Sequence, residues 1–357
     1  MATSIKRSKG SQSSLRIGTF SFWIKFTTVG GFNVYSNTVE NDNNRGYLSF
    51  TSTAQYRMVD NDSSGTHIQL RTTRKFRDFN AWYHVVVRID TTQTTSTDRV
   101  RIYVNGVQET SFDQTDYPAQ NDDLKIFQGG QTNREYMNNI YGGSASSPNF
   151  YLSHFHYADG QSYGPDTFGS TDATTGEWKI NTNPTVTYGN QGFFMFKDDA
   201  SLNDDSGNSN NWSSDSGTIQ KSEDNPSNVF ATLDKLQYKT SALTYSNGNT
   251  TVSFPGAWVF ALGQWGVSKG KFYWEAKCNS GNNANSYFGI CAEMVPAGNG
   301  FYNNSQNGAI MYKVGGGETY IDGSYNSSGY SPSINNTDTV GLALDLDSGT
   351  KTLKIYS

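Results

Sequence analysis

AWYHVVVRIDTTQTTSTDRVRIYVNGV, residues Ala81–Val107, decides the fold of the first half of the chain. Tyr83, Val85, Val87 and Ile89 fall on one side of a period-two alternation, a Thr-, Ser- and Gln-rich turn follows, and Val100, Ile102 and Val104 resume the pattern. Two half-buried strands are expected. Asn105-Gly106 lies between Val104 and Val107, and Asn-Gly supplies the two positive φ angles of a type I′ turn, so a third strand follows at once.

Outward from this meander the same period recurs. Phe20, Phe22, Ile24 and Phe26 alternate with Ser21, Trp23, Lys25 and Thr27, which puts four large side chains on one core-facing side. Shorter strands are predicted at Phe32–Ser36, Tyr47–Thr51, Gln55–Val59, His67–Thr72, Leu124–Gln128 and Tyr151–Tyr157, each bounded by Asn, Asp or Gly. Residues Met1–Gly18 read as a flexible arm. From Gly160 to Tyr238 apolar runs shorten and Gly, Asp, Ser and Asn dominate. The isolated aromatics Phe168, Trp178, Tyr188, Phe193, Phe194, Phe196 and Trp212 argue for an ordered connector, with a strand at Gly192–Phe196.

FSFWIKF (Phe20–Phe26), AWYHVVVRID, RVRIYVNG and a strand ending in Asp159–Gln161 together resemble a laminin-G-like or concanavalin-A-like lectin domain. More closely, the run from Tyr151 through Trp212 resembles a family of structural proteins of marine bacteriophages, in which such a domain is followed by this connector and a SPRY domain. Lys271–Lys277, Tyr287–Ala292 and Thr339–Asp345 are similar to strands of that last domain.

The expected fold class is therefore all-β: two antiparallel β-sandwich (jelly-roll) domains joined by a Gly/Asp/Asn-rich ordered connector. The boundaries are 1–160 for the lectin-like domain, 161–239 for the connector and 240–357 for the SPRY-like domain. Compared with its family, that last domain ends early, after Thr352–Tyr356. The expectation is a fragment of a longer product, or an open sheet edge completed by a neighbouring subunit.

Composition agrees with strands and turns: 357 residues carry 22 Tyr, 21 Phe, 7 Trp and 36 Gly. A net charge of −5 gives no attraction for a polyanion over the whole chain, so nucleic acid is not an expected partner. The basic runs Lys6–Lys9 and Arg71–Arg77 read as a solvated tail and a solvated strand or turn. Two cysteines, Cys278 and Cys291, make no disulfide framework, which fits folding in a reducing cytoplasm. No apolar run is long enough to span a bilayer, so membrane insertion is not expected.

Enzyme signatures are weak. Glu40-Asn41-Asp42 approaches a glycoside-hydrolase pair, but Arg45 replaces the final acid. Only four histidines exist, without a nucleophile elbow, and His154 and His156 lack a third zinc ligand nearby. Asp198, Asp199, Asp204, Asp205 and Asn208 have oxygens suited to calcium but read as turn caps, so no metal ligand and no cofactor is assigned.

Binding remains. The aromatic and imidazole side chains opposite the core face are the candidates for carbohydrate binding: Trp23, Trp82, His84, Tyr103, His154 and His156. The competing reading has this face covered by the connector or by a neighbouring subunit. The resemblance implies a non-enzymatic virion protein, a fibre, appendage or surface decoration of head or tail, assembled in the host cytoplasm. Its expected partners are other virion proteins, copies of itself in a homo-oligomer, and host-surface glycans. The alternatives are a purely protein-binding structural component and a polysaccharide depolymerase using Glu40 and Asp42.

Overall fold

In the computed structural model of the protein the described residues are 3–27, 30–38, 43–78, 81–129, 134–140, 150–234, 243–247, 249–254, 260–279, 286–292, 309–314, 318–321, 324–327 and 338–356. They form two compact units, Met1–Phe230 and Ala231–Ser357.

The first unit contains strands β1 (Ser4–Ser8), β2 (Ile17–Phe26), β3 (Phe32–Thr38), β4 (Arg45–Phe50), β5 (Gln55–Asp62), β6 (Gly65–Lys75) and β7 (Tyr83–Asp90). A short helix, α1 (Ser96–Arg99), fills the Thr-rich turn. Then come β8 (Val100–Val104), β9 (Val107–Gln108), β10 (Phe112–Asp116), β11 (Arg134–Met137), β12 (Phe150–Asp159), β13 (Gly169–Thr171), β14 (Trp178–Ile180), β15 (Phe193–Met195) and β16 (Ser213–Ser216). They build an eight-stranded sheet, β10-β6-β5-β4-β3-β11-β1-β16, and a six-stranded one, β15-β12-β2-β7-β8-β9.

The meander is present, with Phe22 opposite Val85, Val85 opposite Val104, and Val104 opposite Val107 across the expected turn. Its turn has φ 48° at Asn105 and 79° at Gly106, the left-handed pair that Asn-Gly favours. Phe20, Phe22, Ile24 and Phe26 are buried, as are Val34, Leu48, Tyr56, Met58 and Leu70 of the other sheet, so one apolar core lies between the sheets.

Two expectations are corrected. Ser4–Ser8 is a strand rather than an arm, paired with β11 on one side and β16 on the other. The run Lys6–Lys9 is not a solvated tail: Arg7 and Lys9 are 7% and 2% exposed. Both meet the buried Glu135, Arg7 through Nε at 2.6 Å and Lys9 through Nζ at 3.1 Å, and Tyr35 donates its hydroxyl to the same carboxylate. Burial pushes Glu135 up, but Arg7 and Lys9 outweigh it and hold the carboxyl below its ordinary range.

Leu124–Gln128 is the second correction. It forms successive turns, although Leu124, Ile126 and Phe127 are fully buried. Its backbone is satisfied by side chains in place of a ladder: Asp60 accepts from the amides of Lys125 (3.1 Å) and Ile126 (2.7 Å), and Asn37 Nδ2 donates to the carbonyls of Lys125 and Gln128, both at 2.7 Å. Burial raises the Asp60 carboxyl to about 7.

The connector strands belong to the first unit. β15 pairs with β12 at one end of the six-stranded sheet, and β16 pairs with β1 at one end of the eight-stranded sheet. The segment thus contributes a strand to both layers.

The second unit contains β17 (Thr244–Ser246), β18 (Thr251–Ser253), β19 (Lys271–Lys277), β20 (Tyr287–Ile290), β21 (Ile310–Lys313), β22 (Thr319–Ile321), β23 (Ser324–Ser327), β24 (Thr339–Asp345) and β25 (Thr352–Tyr356). They form sheets β17-β18, β19-β24-β25 and β20-β21-β22-β23. Alternation along β19 and β24 turns Trp274, Ala276, Val340 and Leu342 inward onto Tyr312 and Val314, with Leu353 and Ile355 beside them. The fold is all-β, and among the described residues no helix is long and apolar enough to cross a membrane.

Candidate functional site

β2, β7 and β12 lie side by side, so their side chains opposite the core form one layer. In it Trp23 stacks on His84, ring centroids 4.8 Å apart. A bulge in β12 between Ser153 and His156 gives His154 a φ of 47° and puts its ring 6.5 Å from that of His156. The six predicted residues are therefore brought together in large part. Five of them do not reach solvent, however: Trp23 is 4% exposed, Trp82 8%, His84 0%, His154 5% and His156 2%. Tyr103, on β8, is half-exposed.

The cover is the segment after β12. Trp178 stacks over His84 at 6.0 Å and donates its indole N–H to His84 Nδ1 at 2.9 Å. Phe194 stacks on His156 at 3.9 Å, and Phe168 and Tyr188 pack on the same ring. Farther along, Lys25 Nζ forms a fully buried ion pair with Asp224 at 2.7 Å, and the indole N–H of Trp82 donates to the other oxygen of that carboxylate at 3.3 Å. The expectation of an open aromatic face on this sheet is corrected. Period-two alternation shows which side chains oppose the core and is silent on what packs against them.

Ser21 and His84 are 2.9 Å apart, the spacing of a nucleophile and its base. Their chemistry is fixed otherwise. Because Trp178 only donates, His84 Nδ1 accepts, Nε2 carries the proton, and Nε2 donates to Ser21 Oγ. Burial, with His154 nearby, lowers His84 to about 3, and Ser21 is 1% exposed, so the pair neither takes a proton nor meets a substrate. Burial likewise lowers His154 to about 4 and His156 well below its ordinary value, leaving all three imidazoles neutral at neutral pH.

The Asp-rich loop caps its own backbone. Asp204 accepts from the amides of Phe194 (2.8 Å), Ser206 (2.9 Å) and Asn210 (2.9 Å), and Asp199 accepts from the amide of Ser201 at 2.7 Å. Among the described residues no cluster of three His, Cys, Asp or Glu is disposed to hold a metal ion. Glu40 and Asp42 lie outside the described residues.

The other outward face, on the eight-stranded sheet, is where polar groups stay accessible. Cross-strand register places Tyr47 opposite Val59, Arg45 opposite Asn61, and Ser49 opposite Arg57. Arg57 is in turn opposite Arg71, and Val59 opposite Gln69. Arg45, Tyr47, Arg57, Asn61, Gln69 and Arg71 are half-exposed, with the buried Ser49 and Val59 between them. Both the Arg45 and Arg57 guanidinium groups lie over the Tyr47 ring, at 5.5 and 5.3 Å from its centroid. These residues were missed as a site, although alternation along RGYLSF and QYRMVDND already puts Arg45 and Tyr47 on one side of β4, and Arg57 and Asn61 on one side of β5.

Comparison with known proteins fits this architecture. Residues 8–151 match the concanavalin A-like lectin/glucanases superfamily, and residues 271–355 match the SPRY domain. Among curated proteins there is no match. A heptameric SAP-like pentraxin from Limulus polyphemus is 13% identical, with a TM-score of 0.35 over 53% of this chain and 89% of that one. The CBM40 of an IT-sialidase from Ruminococcus gnavus, bound to α2,3-sialyllactose, is 15% identical, with a TM-score of 0.28 over 42% of this chain and 88% of that one. Domain 4 of an extracellular arabinanase from Geobacillus stearothermophilus, in complex with arabinotriose, is 17% identical, with a TM-score of 0.31 over 46% of this chain and 69% of that one. Likenesses this weak say nothing of ligand. The two matches support a domain composition in which a stretch similar to concanavalin A-like lectins is followed by one similar to SPRY domains.

Proposed function

We propose that the protein is a non-enzymatic glycan-binding component of a bacteriophage particle, holding host-surface polysaccharide on the outward face of β4, β5 and β6. The observation that carries the binding reading is the concanavalin A-like lectin match over residues 8–151, on a sandwich whose β4–β6 face keeps Tyr47, Asn61 and Gln69 half-exposed. Hydrogen-bonding amides beside an aromatic ring suit a sugar's hydroxyl and C–H groups. The locked tautomer of His84 supports a binding role over a catalytic one. The virion assignment, with other virion proteins and further copies of the chain as partners, rests on the similarity of the stretch Tyr151–Trp212 to phage structural proteins.

A protein-binding structural component is the second reading, favoured by Tyr273 and Tyr356, which are 60% and 49% exposed on the second unit. A glycan array probed with the full chain separates the two. Binding that Tyr47→Ala removes supports the first, and a blank array together with retention in purified particles supports the second. Reducing ends released from a bound polysaccharide would establish a depolymerase in place of either.

A further inference from the structure

We propose that the β4–β6 face selects anionic polysaccharide, carrying carboxylate or sulfate groups, and that Arg57 is the residue that binds the anion. The inference rests on the glycan-binding reading and adds to it the chemical class of the ligand.

Arg57 lies directly across the sheet from Arg71, an arrangement that like charges disfavour. Arg71 is neutralised by Asp113, its Nε 2.6 Å from the carboxylate. Arg57 has no such partner: its Nε donates to Ser49 Oγ at 3.3 Å, its guanidinium rests on Tyr47, and among the described residues no carboxylate pairs with it. The side chain is thus held by a hydroxyl and an aromatic ring and keeps donors for a ligand. A second guanidinium, that of Arg45, sits on the same ring.

A guanidinium is a planar fork that matches a carboxylate or sulfate with two parallel hydrogen bonds. An anion bound here would give Arg57 the counter-charge that Asp113 gives Arg71. The chain as a whole carries a net charge of −5, so attraction of a polyanion has to be local to a face such as this one.

The test is biolayer interferometry of the full chain on polygalacturonate and on dextran sulfate, each beside its neutral counterpart, methyl-esterified polygalacturonate and dextran. At least one anionic polymer should bind roughly tenfold or more tightly than its neutral counterpart. Arg57→Gln should lose roughly tenfold of that binding, with Arg57→Lys intermediate because it keeps the charge and loses the fork. Lys351→Gln, which removes one exposed charge from the second unit, should bind as wild type, and melting temperatures of all three variants confirm folding. Equal binding of charged and neutral polymers, or full binding by folded Arg57→Gln, overturns the anion selection and leaves the glycan-binding reading standing. Binding to none of the four polymers, with a blank glycan array, overturns both.

Discussion

On the six-stranded sheet the outward layer is Trp23, His84, His156 and Lys25, closed over by Trp178, Phe194 and Asp224; on the eight-stranded sheet it includes Arg45, Tyr47 and Arg57, half-exposed beside the buried Ser49 and Val59. Both layers alternate with the same apolar core. Aromatic richness, which makes the first face look like a platform for sugars, is what a covered layer needs, because rings bury large areas against one another. The sparser second face keeps polar and charged groups within reach of a ligand. Covering and binding thus make opposite demands on side chains that occupy equivalent positions in a sandwich.

The largest effects should come from breaking the covered face. Lys25→Ala leaves the Asp224 carboxylate buried without its cation and should cost on the order of 3–5 kcal/mol in denaturant unfolding. Trp23→Ala removes a ring 4% exposed and should cost roughly as much, about 3–5 kcal/mol. Unchanged unfolding free energies in both variants would show that the segment after β12 does not cover this face in solution.

Gly106→Val addresses the turn beside that cover. A β-carbon at Gly106 would stand 2.4 Å from the Trp178 ring, and the φ of 79° disfavours an L side chain. Strain of roughly 1–2 kcal/mol and overpacking of about 1–3 kcal/mol should both register in the melting temperature. An unchanged melting temperature would argue against the turn and against Trp178 packing on it.

Acid should loosen the covered face next. His84 and His154 are held below their ordinary range, so between pH 6.5 and about 4 the unfolded chain binds more protons than the folded one and stability falls with pH. The slope is about 1.4 kcal/mol per pH unit for each such group. Asp60 works in the opposite direction, since its carboxyl is raised to about 7 and it gains stability as pH falls from there toward the ordinary carboxylate value. Asp60→Asn should therefore steepen the acid loss between pH 6.5 and 4. A profile that stays flat in this variant would contradict the burial of neutral imidazoles. The smallest effect belongs to the open face: Tyr47→Ala should change stability by no more than about 1 kcal/mol, as expected for a half-exposed side chain.

How far the sequence predicted this molecule follows from the range of the forces involved. Alternation in β2, β7 and β8 and the Asn-Gly turn are local, and each was found where the residues placed it. β1 was missed because Arg7 and Lys9 read as solvated charge; the carboxylate that neutralises them, Glu135, comes 128 residues after Arg7. The turns of Leu124–Gln128 depend on Asp60 and Asn37, donors and acceptors from distant strands. The cover over His84 and His156 is likewise non-local, and the same burial that hides these residues from a ligand had no mark in their own spacing. Tyr47 and Arg57 fall in predicted strands and Arg45 just ahead of one, but their convergence on one ring needs the register of β4 against β5.

The central claim, that ligand is held on β4–β6 and not on the layer over β2, β7 and β12, is tested most directly by hydroxyl-radical footprinting of the full chain with and without a saturating polysaccharide chosen from the binding screen. Protection on binding should concentrate at Tyr47, with Trp23, Trp82 and Trp178 unchanged. Protection of Trp178 and Trp82 with Tyr47 unaffected would contradict the account and return the binding site to the six-stranded sheet.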